Sequence, residues 1–303
     1  MFKTPILIIL FNRPECSQQV LRVLQHIKPA EIYIAADGPR TNNINDFTQC
    51  TKTRAVFGNI DWNCKVNRHY QESNLGCKLG VIEAINWFFE SVDMGIILED
   101  DIVPDLSFFP YCEELLLKYE NDSRIMMISG HNPIDTWNNG FSYVFSKIGA
   151  IWGWATWKRA WKLNDFNLTF WPEIKTTNIL ENSFLTLPQY NYRKQTIDLV
   201  YEQKIDTWDY QWTYSRLINS GLSIVPCKNL IKNIGFGFDA THTKNADSIF
   251  IFQNSLPMIF PVKHPYYILP DYKFDFSVYE NTVKGKSQNI LLQIIKKAKN
   301  IFK

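Results

Sequence analysis

With 303 residues, 46% of them apolar and 20% charged, the chain can bury a sizeable core in one large domain or in two that share an interface. A formal charge of +2 gives no electrostatic case for a nucleic-acid partner, and none is expected. None of the six cysteines forms a Cys-x-x-Cys pair or has zinc spacing with histidine, and no stretch reaches the ~20 apolar residues needed to span a bilayer. A cytoplasmic enzyme with reduced thiols is the expectation.

The first 130 residues alternate between strand and helix patterns. Pro5 to Phe11 is a continuous apolar run closed by Asn-Arg-Pro and reads as a buried first strand rather than a signal peptide. A helix follows, with Val20, Leu21, Val23, Leu24 and Ile27 on one side. Glu31 to Ala36 is a short strand stopped by Asp37-Gly38-Pro39. A weak helix near Phe47 to Phe57 leads to a third strand at Lys65 to Tyr70. Leu75 to Val92 is the clearest helix, with Leu79, Ile82, Ile85, Phe88 and Phe89 at helical spacing. Gly95 to Leu98, Leu106 to Tyr119 and Arg124 to Ser129 continue as strand, helix and strand. This alternation predicts an α/β fold, a mostly parallel sheet flanked by helices.

Beyond residue 140 the alternation is lost. Eight of the ten tryptophans fall between Trp137 and Trp212, so the second half differs chemically from the first. Irregular sequence is expected to about residue 215, then a strand at Leu222 to Pro226 and a glycine-containing loop from Asn233 to Thr243. Residues 288 to 303 place Ile290, Leu291, Ile294, Ile295, Ala298, Ile301 and Phe302 on one helical face, with Lys296, Lys297, Lys299 and Lys303 elsewhere. Such a basic amphipathic helix packs on its own domain or lies on an anionic membrane surface, and the lysines favour peripheral contact with the inner face of a membrane. The expected organisation is a first half (1–135), a second half of the same domain (136–285) and the C-terminal helix (286–303).

Three polar motifs each follow a strand: Asn12-Arg13, Asp37-Gly38 and Glu99-Asp100-Asp101. In open α/β sheets the carboxyl ends of the strands are where ligands bind. Three adjacent carboxylates repel one another, and a divalent cation removes that conflict; Mg²⁺ and Mn²⁺ bind through one or two carboxylates plus substrate phosphates. A solvated acidic turn capping the next helix is the alternative. Trp208-Asp209-Tyr210-Gln211-Trp212 supplies an acid in an aromatic setting, suited to act as a general base, with Asp206 as its nearest competitor.

ILIILFNRP, the Asp37-Gly38 turn, HYQESNLG and GIILEDDIVPDLSFF resemble the inverting, metal-dependent glycosyltransferases of the GT-A fold, closest to the N-acetylglucosaminyltransferase I group and its bacterial relatives. A weaker likeness continues through SGHNP, IGAIWGWATW, TWDYQW and NIGFGFDATHT. The resemblance implies that Asp101 binds Mn²⁺ or Mg²⁺ and that Glu99 and Asp100 contact ribose or shape the site. It implies further that Asp37 and His69 address uracil, Arg13 the phosphate end of a UDP-sugar, and Asp209 the acceptor hydroxyl as base.

On the acceptor side the resemblance points to Trp152, Gly153 and Trp208, since aromatic faces stack on sugar rings; Trp154, Trp157 and Trp161 also fit the spacing of a helical core. His242 is expected near the metal or the β-phosphate, on a lid. The implied reaction carries a sugar from a nucleotide donor to a carbohydrate or lipid-linked glycan, as in surface-polysaccharide assembly. A sugar nucleotidyltransferase and a non-catalytic carbohydrate-binding protein are the rivals; the first normally carries a glycine-rich phosphate loop after strand one, which FNRPE lacks.

Overall fold

The computed structural model describes residues 1–235 and 253–282. His242 and the C-terminal helix anticipated at 286–303 lie outside the described residues.

The first half follows the expected alternation: β1 (Ile6–Leu10), α1 (Pro14–Ile27), β2 (Glu31–Ala36), α2 (Asp46–Val56), β3 (Lys65–Tyr70), α3 (Gly76–Ser91) and β4 (Met94–Glu99). A short β5 (Ile102–Pro104), α4 (Phe108–Lys118) and β6 (Ile125–Ser129) complete it. Strands β1, β2, β4 and β6 are apolar on both faces because helices cover both faces. On one side α1 and α4 contribute Val20, Leu24, Phe108, Phe109 and Leu115; on the other α3 contributes Val81, Ile85, Phe88 and Phe89. β3 is the edge strand, and its sequence KVNRHY is polar and half-exposed, as an edge that must not pair with other chains requires.

The second half is far more regular than its sequence suggests. It holds β7 (Tyr143–Ser146), β8 (Trp154–Trp157), α5 (Lys158–Trp161), α6 (Trp171–Thr177), a short 3₁₀ turn, α7 (Leu187–Tyr201), α8 (Asp209–Ile218), β9 (Leu222–Pro226), β10 (Ile231–Asn233) and α9 (Tyr272–Thr282). The helical spacing of Trp154 and Trp157 is misleading, for both belong to strand β8. Being three residues apart they point to opposite faces. Trp154 packs with Trp208 and Trp212, while the Trp157 indole lies against α4 and donates to the Leu116 carbonyl at 3.1 Å. Only Trp161 of the three is helical.

The eight-stranded sheet has the order β3-β2-β1-β4-β8-β6-β9-β7. β8 pairs antiparallel with both β4 and β6, and β7 pairs antiparallel with β9; the other neighbours are parallel. The two halves of the sequence therefore share one sheet. A separate two-stranded sheet joins β5 to β10.

Candidate functional site

Strand register brings the three polar motifs together. Ile9 lies opposite Glu99 and Leu10 opposite Ala36, so one step further the chain delivers Phe11, Asp37 and Asp100 side by side. The Phe11 N–H donates to Asp100 Oδ2 at 3.2 Å, and the Asp37 N–H donates to the Leu10 carbonyl at 3.1 Å. Because β8 is antiparallel to β4, with Trp154 opposite Ile97, the segment Ile151-Trp152-Gly153 enters at the same rim. α8 runs back across the sheet to β9, which leaves its first residue, Asp209, at that rim too. The result is a cleft of about 860 Å³ lined by Arg13, Asp37, His69, Glu99, Asp100, Asp101, Trp152, Trp208 and Asp209, among others.

The acidic run is electrostatically frustrated. Burial, reinforced by Asp101 and Asp100, pushes the Glu99 carboxyl up to about 8; burial and then Asp101 push Asp100 up to about 7. Burial likewise raises Asp101, against the pull of Arg13. Arg13 Nη1 lies 2.6 Å from Asp101 Oδ2 and 3.6 Å from Asp100 Oδ1. One guanidinium thus faces three carboxylates, a donor set of hard oxygens with excess negative charge, which fits a divalent cation. Among the described residues no three His, Cys, Asp or Glu side chains are grouped to hold a metal by themselves. An ion at Asp101 therefore needs phosphate and water as its remaining ligands, as is usual for Mg²⁺.

Gly235 presses on the same carboxylate. A Cβ built there would fall 1.9 Å from Asp101 Oδ2, and the neighbouring Ile234 N–H donates to the Asp101 carbonyl at 2.9 Å. The β5–β10 pairing thus lays the backbone directly over Asp101.

Asp37 is fully engaged by the protein. Its Oδ1 accepts from the Gly38 and Leu75 N–H groups, both at 2.8 Å. Its Oδ2 accepts from Asn74 Nδ2 at 2.8 Å and the Gly76 N–H at 3.1 Å. The four acceptor positions of a carboxylate are thereby filled, and the start of α3 is fastened to the end of β2. His69 stacks on Trp87 with ring centroids 5.1 Å apart, and its Nε2 meets Glu83 Oε1 at 3.1 Å.

A second cavity, about 240 Å³, adjoins the cleft; its mostly apolar and aromatic lining comes from the segment 148–152 and from α7, α8 and α9. Ile151, Trp152, Asp209 and Tyr210 border both spaces, so Asp209 stands in the wall between them. The Asp209 carboxylate accepts from the Thr207 hydroxyl. Asp206, the competing carboxylate, lines the cleft but not the second cavity.

The tryptophans divide by position. Trp152 is half-buried on the shared wall and stacks on His131 at 4.5 Å between centroids. Trp208 reaches the cleft but is 3% exposed and stacked on Trp154 at 5.7 Å, so most of it is core. Gly153 borders neither space: it is buried with φ +57°, and a Cβ there would lie 2.5 Å from Ile231 Cδ1. Its role is to let the chain turn tightly into β8.

Sequence reasoning missed the second cavity and with it Tyr192, Arg193 and Tyr210. The signal for its helix α7 was present: Thr186 and Gln189 form a capping box with Pro188 between them.

No family model and no curated protein matches the sequence. Among solved structures, the chain is similar to mouse xyloside xylosyltransferase 1 (11% identity, TM-score 0.34, covering 71% of this chain and 81% of that one). It is also similar to a cytidylyltransferase from Leptospira borgpetersenii (13%, TM-score 0.31, 54% of this chain and 63% of that one). A third similar structure is a UDP-glucose pyrophosphorylase complexed with UDP-glucose (10%, TM-score 0.33, 53% and 78%).

Proposed function

We propose that this chain is a glycosyltransferase that moves a sugar, with inversion, from a nucleotide donor to a carbohydrate or lipid-linked glycan. The resemblance noted in the sequence makes a uridine diphosphate sugar the donor. One observation carries the reading: Asp209 borders both a polar cleft with an acidic rim and an aromatic cavity. A donor in the first and an acceptor in the second would meet at its carboxylate.

In the chemistry that follows, the acceptor hydroxyl oxygen bonds to the anomeric carbon while the bond from that carbon to the phosphate oxygen breaks. The diphosphate leaves with the electron pair, and Asp209 takes the hydroxyl proton. The Thr207 hydroxyl fixes the orientation of that base. Holding both reactants on one wall supplies a further part of the acceleration.

Asp101, backed by Glu99 and Asp100, would hold Mn²⁺ or Mg²⁺. When bound, such an ion offsets the negative charge that develops on the departing diphosphate. Arg13 is assigned to the phosphate end. His69 is assigned to the base, with Asp37 acting mainly by holding the β2–α3 turn in shape. Trp152, and the exposed edge of Trp208, are assigned to the sugars. His242 remains the sequence-based candidate for a further contact to the ion or β-phosphate.

Titration calorimetry with UDP, with and without Mn²⁺, tests the reading directly. Manganese-dependent UDP binding is expected, followed by release of UDP from a member of a UDP-sugar panel when a glycan acceptor is added. Indifference to both UDP and Mn²⁺ would leave a carbohydrate-binding module instead, and pyrophosphate chemistry a nucleotidyltransferase.

A further inference from the structure

The second cavity has a charge pattern that an acceptor of neutral sugars would not need. Arg216, on α8, is 0% exposed and forms no ion pair among the described residues. Buried charges are ordinarily paired. Arg216 instead donates from Nη1 to the Ile148 carbonyl at 2.9 Å and to the Ser223 hydroxyl, and from Nη2 to the Thr213 hydroxyl at 3.2 Å. Its Nε has no acceptor. Ile148 and Thr213 line the cavity, so this cation sits one residue behind its wall.

Arg193, on α7, lines the cavity itself. Its guanidinium lies over the Tyr210 ring, 5.9 Å from the centroid, and it too forms no ion pair among the described residues. The two guanidinium groups feel each other: burial, and then Arg193, depress Arg216 to about 9. The acids nearby offset this only in part, Asp275 by its attraction for Arg216. Asp209 stands at the mouth, facing the cleft as well, and Asp275 accepts hydrogen bonds from the Ser146 hydroxyl and the Lys147 N–H.

We infer that the cavity between α7, α8 and α9 takes an acceptor sugar carrying a carboxylate, with Arg193 reading that carboxylate and the Tyr192 and Tyr210 rings packing on the sugar face. A planar guanidinium at the edge of an apolar space is suited to a two-point carboxylate contact, which a hydroxyl cannot reproduce. The aromatic lining accepts the apolar face of the ring, and the acid group settles away from Asp209, leaving a ring hydroxyl toward that base. An anion in this place relieves the repulsion between the two arginines. The inference rests on the glycosyltransferase reading only in naming the bound sugar an acceptor.

The test uses the full chain and four probes, the methyl glycosides of glucuronic, galacturonic, glucose and galactose sugars, titrated by ligand-observed NMR. At least one uronide should bind about tenfold more tightly than its neutral counterpart, a difference of roughly 1.4 kcal/mol. Arg193→Met should reduce that preference to within about twofold, and Arg193→Lys should restore part of it, as a charge without the planar fork does. Equal binding of uronide and neutral sugar, no uronide binding, or a preference that survives Arg193→Met overturns the inference. A parallel UDP titration separates the two readings. Loss of UDP binding alone removes the glycosyltransferase assignment and leaves the uronide preference standing; UDP binding without that preference removes this inference alone.

Discussion

The two halves of the chain use their sheet in different ways. In the first, parallel strands β1, β2 and β4 run out into polar segments at one edge, and their register gathers Arg13, Asp37 and the three acids at one rim. The second contributes only two strands, β8 and β9, to the sheet interior, and its wall of the site is made by the ends of helices and by aromatic rings. Charge at the end of an apolar strand has few explanations, and one of them is a ligand. A tryptophan has two, the core and the binding surface, and only the packing of its neighbours decides between them.

The sharpest way to separate the halves is to damage each and ask what survives. Asp101→Ala should abolish turnover and manganese-dependent UDP binding together, read by calorimetry and UDP release, because the proposed function puts the donor in the first half. Asp209→Asn should lower turnover by about 10²–10⁴-fold, the usual share of a general base, while leaving UDP affinity within about twofold. A near wild-type rate in this variant would remove the base assignment and the division of labour with it.

Two tryptophans sharpen the comparison inside the second half. Trp212 is fully buried among Trp154, Trp161 and Met127, so Trp212→Ala should cost about 3–5 kcal/mol of stability in denaturant unfolding. Trp152→Ala, on the wall shared by the two cavities, should cost much less stability and raise the acceptor KM instead. If both variants unfold alike, the distinction between core and surface tryptophans fails.

The smallest expected effect concerns pH. Burial holds His131, just past β6 at the end of the first half, down to about 4, below its ordinary 6.5. The folded state thus keeps this imidazole neutral where the unfolded chain would protonate it. Its contribution is complete above pH 6.5 and is lost progressively as the pH falls from 6.5 through about 4. A His131→Gln variant should therefore show a shallower fall of Tm over that window than the wild type.

Much of the first half was legible in the sequence. β2 and β3 begin and end where their apolar and polar residues said they would, and the placement of the acidic run after β4 followed from one rule about strand ends. What the sequence hid has definite physical causes. Asp37 looks free on paper because three of its four donors are backbone N–H groups, of Gly38, Leu75 and Gly76, which no side-chain pattern records; the fourth is the Asn74 amide. β8 was hidden because Trp154, Trp157 and Trp161, at i, i+3 and i+7, fit helical spacing better than strand alternation. Tyr210 and Arg193 were passed over because the cavity they line exists only once α7, α8 and α9 have packed.

The insertion of β8 between β4 and β6 has one more consequence. A strand from residues 154–157 occupies the middle of a sheet begun by residues 6–10, so hydrogen bonds of the first half are completed by the second. A fragment cut near residue 135 would bare the whole edge of β4, an apolar strand prone to pair with its own copies. Under the proposed function, donor and acceptor recognition could therefore not be shuffled as exchangeable modules; a change of acceptor would have to come from helices and loops laid over a sheet that both parts own.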